Sequence, residues 1–301
     1  MLHNSDIPGW LLIVASISLA LGVACAVLVA ADIARHPQPM RVMNVVWPVC
    51  ALFGSVLWAA AYFWWGRAQR PTAADDAQDM SGMDMSGMDT SGTDMPGMKM
   101  SSSDTSGTGM PGMDMSSSDM GGMDMPGMDM RPALGLSGRP HSRPVSVFVG
   151  TSHCGAGCSL ADLIVEWTIF AVPSVAVVGG LHWLFSDELY AGWVIAYVVA
   201  LIIGIAFQFF AIAPMNPQRG VAANVAAAAK ADVLSLSAWQ IGMYGAMAVA
   251  QLAVFPAWLG DRVAVDTPVF WLTMQVAMLA GFCTAYPVNW WLIRAGVKEA
   301  M

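Results

Sequence analysis

Two groups of sulfur-bearing residues in this 301-residue chain have types and spacings suited to soft-metal chemistry. The first is a run in which fifteen of the 24 methionines fall between Met80 and Met130, in repeats such as Met-Ser-Gly-Met-Asp-Met and Met-Pro-Gly-Met-Asp-Met. A thioether is a soft, uncharged donor, and soft sulfur ligands select Cu(I) over hard and borderline cations. Met83, Met85 and Met88, like Met123, Met125 and Met128, are close enough in sequence for two or three sulfurs to meet one ion. Asp84, Asp89, Asp114, Asp124 and Asp129 keep the run soluble and ease the approach of a cation. The same composition, rich in Gly, Ser, Pro and Asp and lacking aromatic residues, also fits a plain disordered linker or a sacrificial scavenger of oxidants.

The second group is His153-Cys154-Gly-Ala-Gly-Cys158 together with two acids downstream of it. If a helix already runs here, Cys154, Cys158, Asp162 and Glu166 recur every four residues and form one stripe, drifting by about 40° per step. Gly155 and Gly157 weaken that helix, and Ser159-x-x-Asp162 reads as a capping box that would start it later. The cysteines would then sit on a loop above a helix N-terminus, where the dipole favours thiolate. Either geometry suits a Cu(I) site of two or three ligands, with His153 as the third. A disulfide, a reduced structural pair or a zinc site completed from elsewhere are the alternatives. Asp162 reads as a cap, whereas Glu166, one turn deeper in an apolar segment, reads as part of an ion or proton path. Further along, Met243 and Met247 share a helix face, as do Met274 and Met278, so two neighbouring helices can offer a ladder of thioethers. Such pairs are also ordinary gap-filling core. Cys25 and Cys50 read as small core residues, and His182 as an interfacial one.

The elements that must hold these residues are membrane spans. The chain is 56% hydrophobic and only 11% charged, with thirteen Trp, a composition of the multi-pass class. Thirteen basic residues against a net charge of -8 exclude a nucleic-acid surface, and eleven of the acids lie between Asp75 and Asp129. Apolar runs of about the 20 residues that a lipid bilayer requires are expected at Trp10 to Ala31, Val42 to Trp65, Leu163 to Leu181, Glu188 to Ala213, Leu234 to Trp258 and Val269 to Ile293. The segment before Trp10 lacks the basic start of a cleaved signal peptide, so the first span is read as retained. The expected fold is all-α: a polytopic membrane helix bundle of six transmembrane helices, two plus four, with a long disordered Met-rich loop.

Several blocks resemble one known family. Gly150-Thr-Ser-His-Cys-Gly-Ala-Gly-Cys158, Phe210-Ala-Ile-Ala-Pro-Met215, Lys230-Ala-Asp-Val-Leu-Ser-Leu236, Gln240-Ile-Gly-Met-Tyr-Gly245, Tyr286-Pro-Val-Asn-Trp-Trp-Leu292 and Lys298-Glu-Ala-Met301 are similar, in order, to the uncharacterised bacterial membrane family known as domain of unknown function 4396. The resemblance runs from about Gly150 to Met301. It implies a helical bacterial membrane protein and carries no activity with it. It marks the Lys230 to Asp232 block, the Asn289 block and the cysteine segment as motifs. The chain accordingly divides into a two-helix hairpin at 1–70, the Met-rich loop at 71–144 and a four-helix domain at 145–301.

Together these readings point to an integral membrane protein that binds Cu(I) and transports or buffers it, with copper-handling proteins as partners. No nucleotide-binding loop is present, so transport would be passive or ion-coupled. A membrane redox or copper-delivery accessory that cycles Cys154 and Cys158 between dithiol and disulfide, and a scaffold with a metal-buffering loop, remain open. Sidedness is contested. With the Met-rich loop inside, Arg67, Arg70, Arg131, Arg139, Arg143, Arg219, Lys230, Arg294 and Lys298 gather in the cytoplasm while Arg35, Arg41 and Arg262 face out, as the positive-inside rule prefers. Thioether chemistry favours the oxidising side, where thiols are lost. The charge rule places the loop in the cytoplasm.

Overall fold

The computed structural model describes residues 1–38, 40–68, 142–212 and 220–298. Met83, Met85, Met88, Met123, Met125 and Met128 lie outside the described residues. The rest is built of helices: α1 (Gly9–Arg35), α2 (Met43–Ala61), α3 (Arg143–Ala171), α4 (Glu188–Ile212), α5 (Val221–Ala248), the short α6 (Phe255–Leu259) and α7 (Pro268–Arg294). Six helical segments are long and apolar enough to cross a membrane. Their lipid-facing surfaces are correspondingly greasy, as on α1, where Ile13, Val14, Ile17, Leu21, Val27 and Leu28 are exposed. Only internal hydrogen bonding can satisfy a backbone placed in hydrocarbon, which is why such runs become helices.

Two boundaries differ from the sequence expectation. The third helix begins at Arg143, twenty residues ahead of the start expected at Leu163, and ends at Ala171, ten before the end expected at Leu181, and Pro173–Val177 is a 3-10 turn. The glycine-weakened cysteine segment is therefore inside a helix, and a start at Ser159 is overturned. Gly155 and Gly157 are tolerated because neighbours use their missing side chains: Trp239 packs over Gly155, and Gly157 meets Gly204 of α4. Similarly α5 begins at Val221, thirteen residues ahead of the apolar run expected from Leu234, so the Lys230 to Asp232 block is helical.

The second helix reverses direction. Ser55 lies at φ 50 and ψ -130, outside the helical region. Beyond it the chain folds back, so that Trp47 packs edge-on against Tyr62 with centroids 5.6 Å apart. A side-chain carbon placed on Gly66 would fall 2.3 Å from the Trp47 ring. A straight helix would separate residues 47 and 66 by about 28 Å. The returning arm ends with Arg67 clamped in a two-pronged bond to Asp32 at the end of α1 (2.9 and 2.8 Å), while Tyr62 donates to the same carboxylate at 2.8 Å.

The ends of the bundle follow from this path. At one end the N-terminal segment bridges to the connection before α7, through Met1 to Asp261 (2.7 Å), Leu2 to Arg262 and His3 to Asp266. Asp187 and Arg262 pair there at 2.7 Å, and the guanidinium holds the Asp187 carboxyl below the usual carboxylate range. At the other end lie Asp32 with Arg67, Trp65 against Phe148, and Tyr286 bonded to the Pro144 carbonyl. Arg35 and Arg41, expected from the sequence on the face opposite Arg67, lie at its end. Inside, α1 and the hairpin are tied to the remaining helices by Ser18 to Gln275, Gln275 to the Leu52 carbonyl, and Trp58 to Ser152.

Candidate functional site

Around Cys154 of α3 the structure assembles residues from three other chain segments. Cys154 Sγ donates to Asp232 Oδ1 of α5 in a short hydrogen bond and accepts from Ser235 Oγ at 3.1 Å. Lys298 Nζ, beyond the end of α7, donates to Cys154 Sγ at 3.0 Å and to Asn289 Oδ1 at 3.0 Å, and lies 3.7 Å from Asp232 Oδ1. Asn289 Nδ2 in turn donates to Ser235 Oγ at 2.6 Å. All five side chains are buried. A carboxylate and an ammonium taken out of water are costly unless paired and hydrogen-bonded, and this network does both.

Local sequence explains the convergence. Asp232 and Ser235 are three apart on α5 and so share a face. Asp232 fits because Gly204 on α4 has no side chain: a carbon there would meet Asp232 Oδ2 at 2.5 Å. Lys298 is aimed inward by the end of α7. Gly296 takes φ 67, its N–H bonds the Ile293 carbonyl at 3.2 Å, and the Val297 N–H bonds the Leu292 carbonyl at 3.0 Å. This is a Schellman turn, whose left-handed residue is normally Gly. It turns the chain back on the helix and delivers the lysine to the cluster.

The other expected donors separate into distinct surroundings. Cys158, one turn from Cys154, is fully buried and packs in one apolar cluster with Met243, Met247, Met274 and Met278. Ser159 Oγ donates to Met278 Sδ at 3.4 Å, joining the cysteine segment to that thioether set. His153 is buried beside Phe207, with both ring nitrogens lacking a hydrogen bond. Asp162 is buried on the cysteine stripe and caps nothing, because the helix starts nineteen residues earlier. Glu166 is half-buried and lines a cavity of about 160 Å³ with His3, Glu188, Gln251 and Arg262 at the N-terminal end of the bundle. Among the described residues no three of His, Cys, Asp and Glu converge as a metal cage. The soft donors that α3, α5 and α7 bury are two thiols, Cys154 and Cys158, and four thioethers, Met243, Met247, Met274 and Met278.

Sequence reasoning singles out Cys154 but gives Asp232, Ser235, Asn289 and Lys298 no role. Asn289 has a signal, an amide among aromatic and apolar residues in a span, where polar groups are expensive. Lys298 opens the last of the family blocks, but it lies past the apolar run and no spacing connects it to the others. Lys230, the more conspicuous cation, is exposed.

An all-helical bundle with six helical segments long and apolar enough to cross a membrane, and with a charged network shut inside it, marks a multi-pass membrane protein. The chain belongs to the family described as domain of unknown function (DUF4396), which matches residues 145–298, just over half of its length. All five residues of the network lie within the match, which ends on Lys298, whereas α1 and α2 lie outside it. No curated protein and no solved structure matches the chain.

Proposed function

We propose that this protein binds Cu(I) and carries it across the bacterial inner membrane through the interior between α3, α5 and α7. The observation that supports the reading is the gathering of every soft donor of those helices, other than exposed Cys283, on buried surfaces: Cys154 and Cys158 on α3, Met243 and Met247 on α5, Met274 and Met278 on α7. Low-coordinate sulfur suits Cu(I) and is poor for hard cations. The stripe continues through Asp162 to Glu166 at the cavity, where carboxylates offset the charge of a cation or of a coupled proton. The Met-rich segment serves as a buffer that feeds or drains this route.

In the same reading α2 is a re-entrant hairpin, so the chain crosses the bilayer five times. Among the described residues Arg35, Arg41, Arg67, Arg143, Lys230, Arg294 and Lys298 then share one face, and only Arg262 occupies the other, a distribution the positive-inside rule assigns to a cytoplasmic face. Arg67 and Ser142, which flank the Met-rich segment among the described residues, lie at that face. The dithiol alternative is less well supported. Helical positions four apart hold their Cβ atoms about 5–6 Å from each other, and a disulfide needs about 3.5–4.5 Å, so Cys154 and Cys158 cannot close without unwinding α3.

Metal content of protein purified from copper-fed cells, together with Ag(I) or Cu(I) flux into vesicles, tests the proposal. Protein without copper, and flux equal to that of protein-free vesicles, refutes it.

A further inference from the structure

Lys298 occupies an unusual place for a lysine, with its ammonium enclosed by Cys154 Sγ, Asn289 Oδ1 and Asp232 Oδ1. These three are the acceptors that would receive a monovalent cation. The ammonium is held by four residues of chain after α7, and the turn at Gly296 is the point at which that strap reverses. We infer that Lys298 is a tethered cation plug: its ammonium holds the site closed, and a soft monovalent ion enters by displacing it. The inference rests on the Cu(I) reading above and adds to it a site, an occupant and a gate.

The chemistry of the exchange is balanced. When Ag(I) or Cu(I) arrives, the Cys154 thiol passes its proton to Asp232 Oδ1, to which it already donates, as the metal–sulfur bond forms. Lys298 leaves toward the cytoplasmic face still protonated. Before the exchange the Asp232 carboxylate and the ammonium cancel. After it the Cys154 thiolate and the metal ion cancel, and Asp232 is a neutral acid, so the pocket carries no net charge in either state. No oxidant or reductant is consumed. Gly204 leaves the carboxyl group room beside α4 throughout.

The test uses the full-length protein in detergent and Ag(I) as a redox-stable probe, read by the near-ultraviolet sulfur-to-metal charge-transfer band that thiolate ligation produces. Lys298→Leu removes the competing cation and adds no donor that could itself bind the ion. It is expected to bind Ag(I) at Cys154 at least tenfold more tightly than the wild type, and Cys154→Ser in the same background is expected to abolish the band. Gly296→Val keeps every side chain of the site and strains only the turn, so it should shift Ag(I) affinity the same way even if Lys298→Leu folds poorly. Unchanged affinity in both variants, with wild-type Ag(I) binding intact, overturns the plug and leaves the Cu(I) reading standing. Absence of the band in wild type and variants alike overturns both. A band that survives Cys154→Ser places the ion elsewhere and also overturns the plug.

Discussion

Replacing Gly66 by Ala should destabilise the protein through a residue nineteen positions away in sequence. A Cβ on Gly66 would sit 2.3, 2.5 and 2.9 Å from three atoms of the Trp47 indole, which is 1% exposed and has nowhere to retreat. Overpacking of this kind costs about 1–3 kcal/mol. Trp47→Leu alone leaves a cavity at a large buried ring and costs about 3 kcal/mol or more. In the double variant the smaller side chain makes room for the new methyl group, so the two penalties should fall short of their sum by about 1–2 kcal/mol. Were α2 straight, the two sites would be about 28 Å apart and their effects would add to within about 0.5 kcal/mol. Circular dichroism of purified protein titrated from mild detergent into denaturing detergent measures all four corners of the cycle. Gly245→Ala, where an added carbon meets nothing within 4 Å, is the control and should not destabilise. A neutral Gly66→Ala, or strict additivity with Trp47→Leu, would refute the reversal at Ser55 and the five-crossing path with it.

The same geometry sets the outcome of other perturbations. Gly204→Val should push the Asp232 carboxylate from its place and cut Cu(I) or Ag(I) flux at least tenfold while the protein still reaches the membrane, checked by vesicle transport beside membrane-fraction blots. Cys154→Ser and Cys158→Ser should each lose most of that flux, since a hydroxyl is a hard donor; flux that survives both removes the thiols from the route. An impermeant thiol reagent should label a cysteine introduced at Asn4 from outside the cell and one introduced at Ser103 only after lysis, and labelling of both on the same side would overturn the five-crossing arrangement. Because Arg262 lowers the Asp187 pKa, that pair's contribution to stability is present above the ordinary carboxylate pKa of about 3.9 and is lost as pH falls through the depressed value. Acid melts of Asp187→Asn should accordingly show a shallower loss of stability below about pH 4 than the wild type.

The sequence by itself determined the helical membrane class, because hydropathy and span length depend only on composition over about 20 residues. It also located α1, α4 and α7 to within a few residues, and it marked through family blocks the segments that carry Cys154, Asp232, Asn289 and Lys298. Periodicity even placed Cys154, Cys158, Asp162 and Glu166 on one stripe, provided the helix ran through Gly155 and Gly157. Whether it did was beyond local propensity, since the decision lay with Trp239 and Gly204 packing against those glycines. The reversal at Ser55 was hidden for a related reason: an apolar run of 24 residues reads the same whether it crosses or doubles back, and only Trp47, Tyr62 and Gly66 meeting in space distinguish the two. The enclosed network is the clearest case. Its members come from positions 154, 232, 235, 289 and 298, and no spacing rule connects them. Tertiary structure alone brought a lysine beyond the last span into contact with a thiol near the start of the third, because a buried carboxylate needs a counter-charge and the turn at Gly296 supplies one.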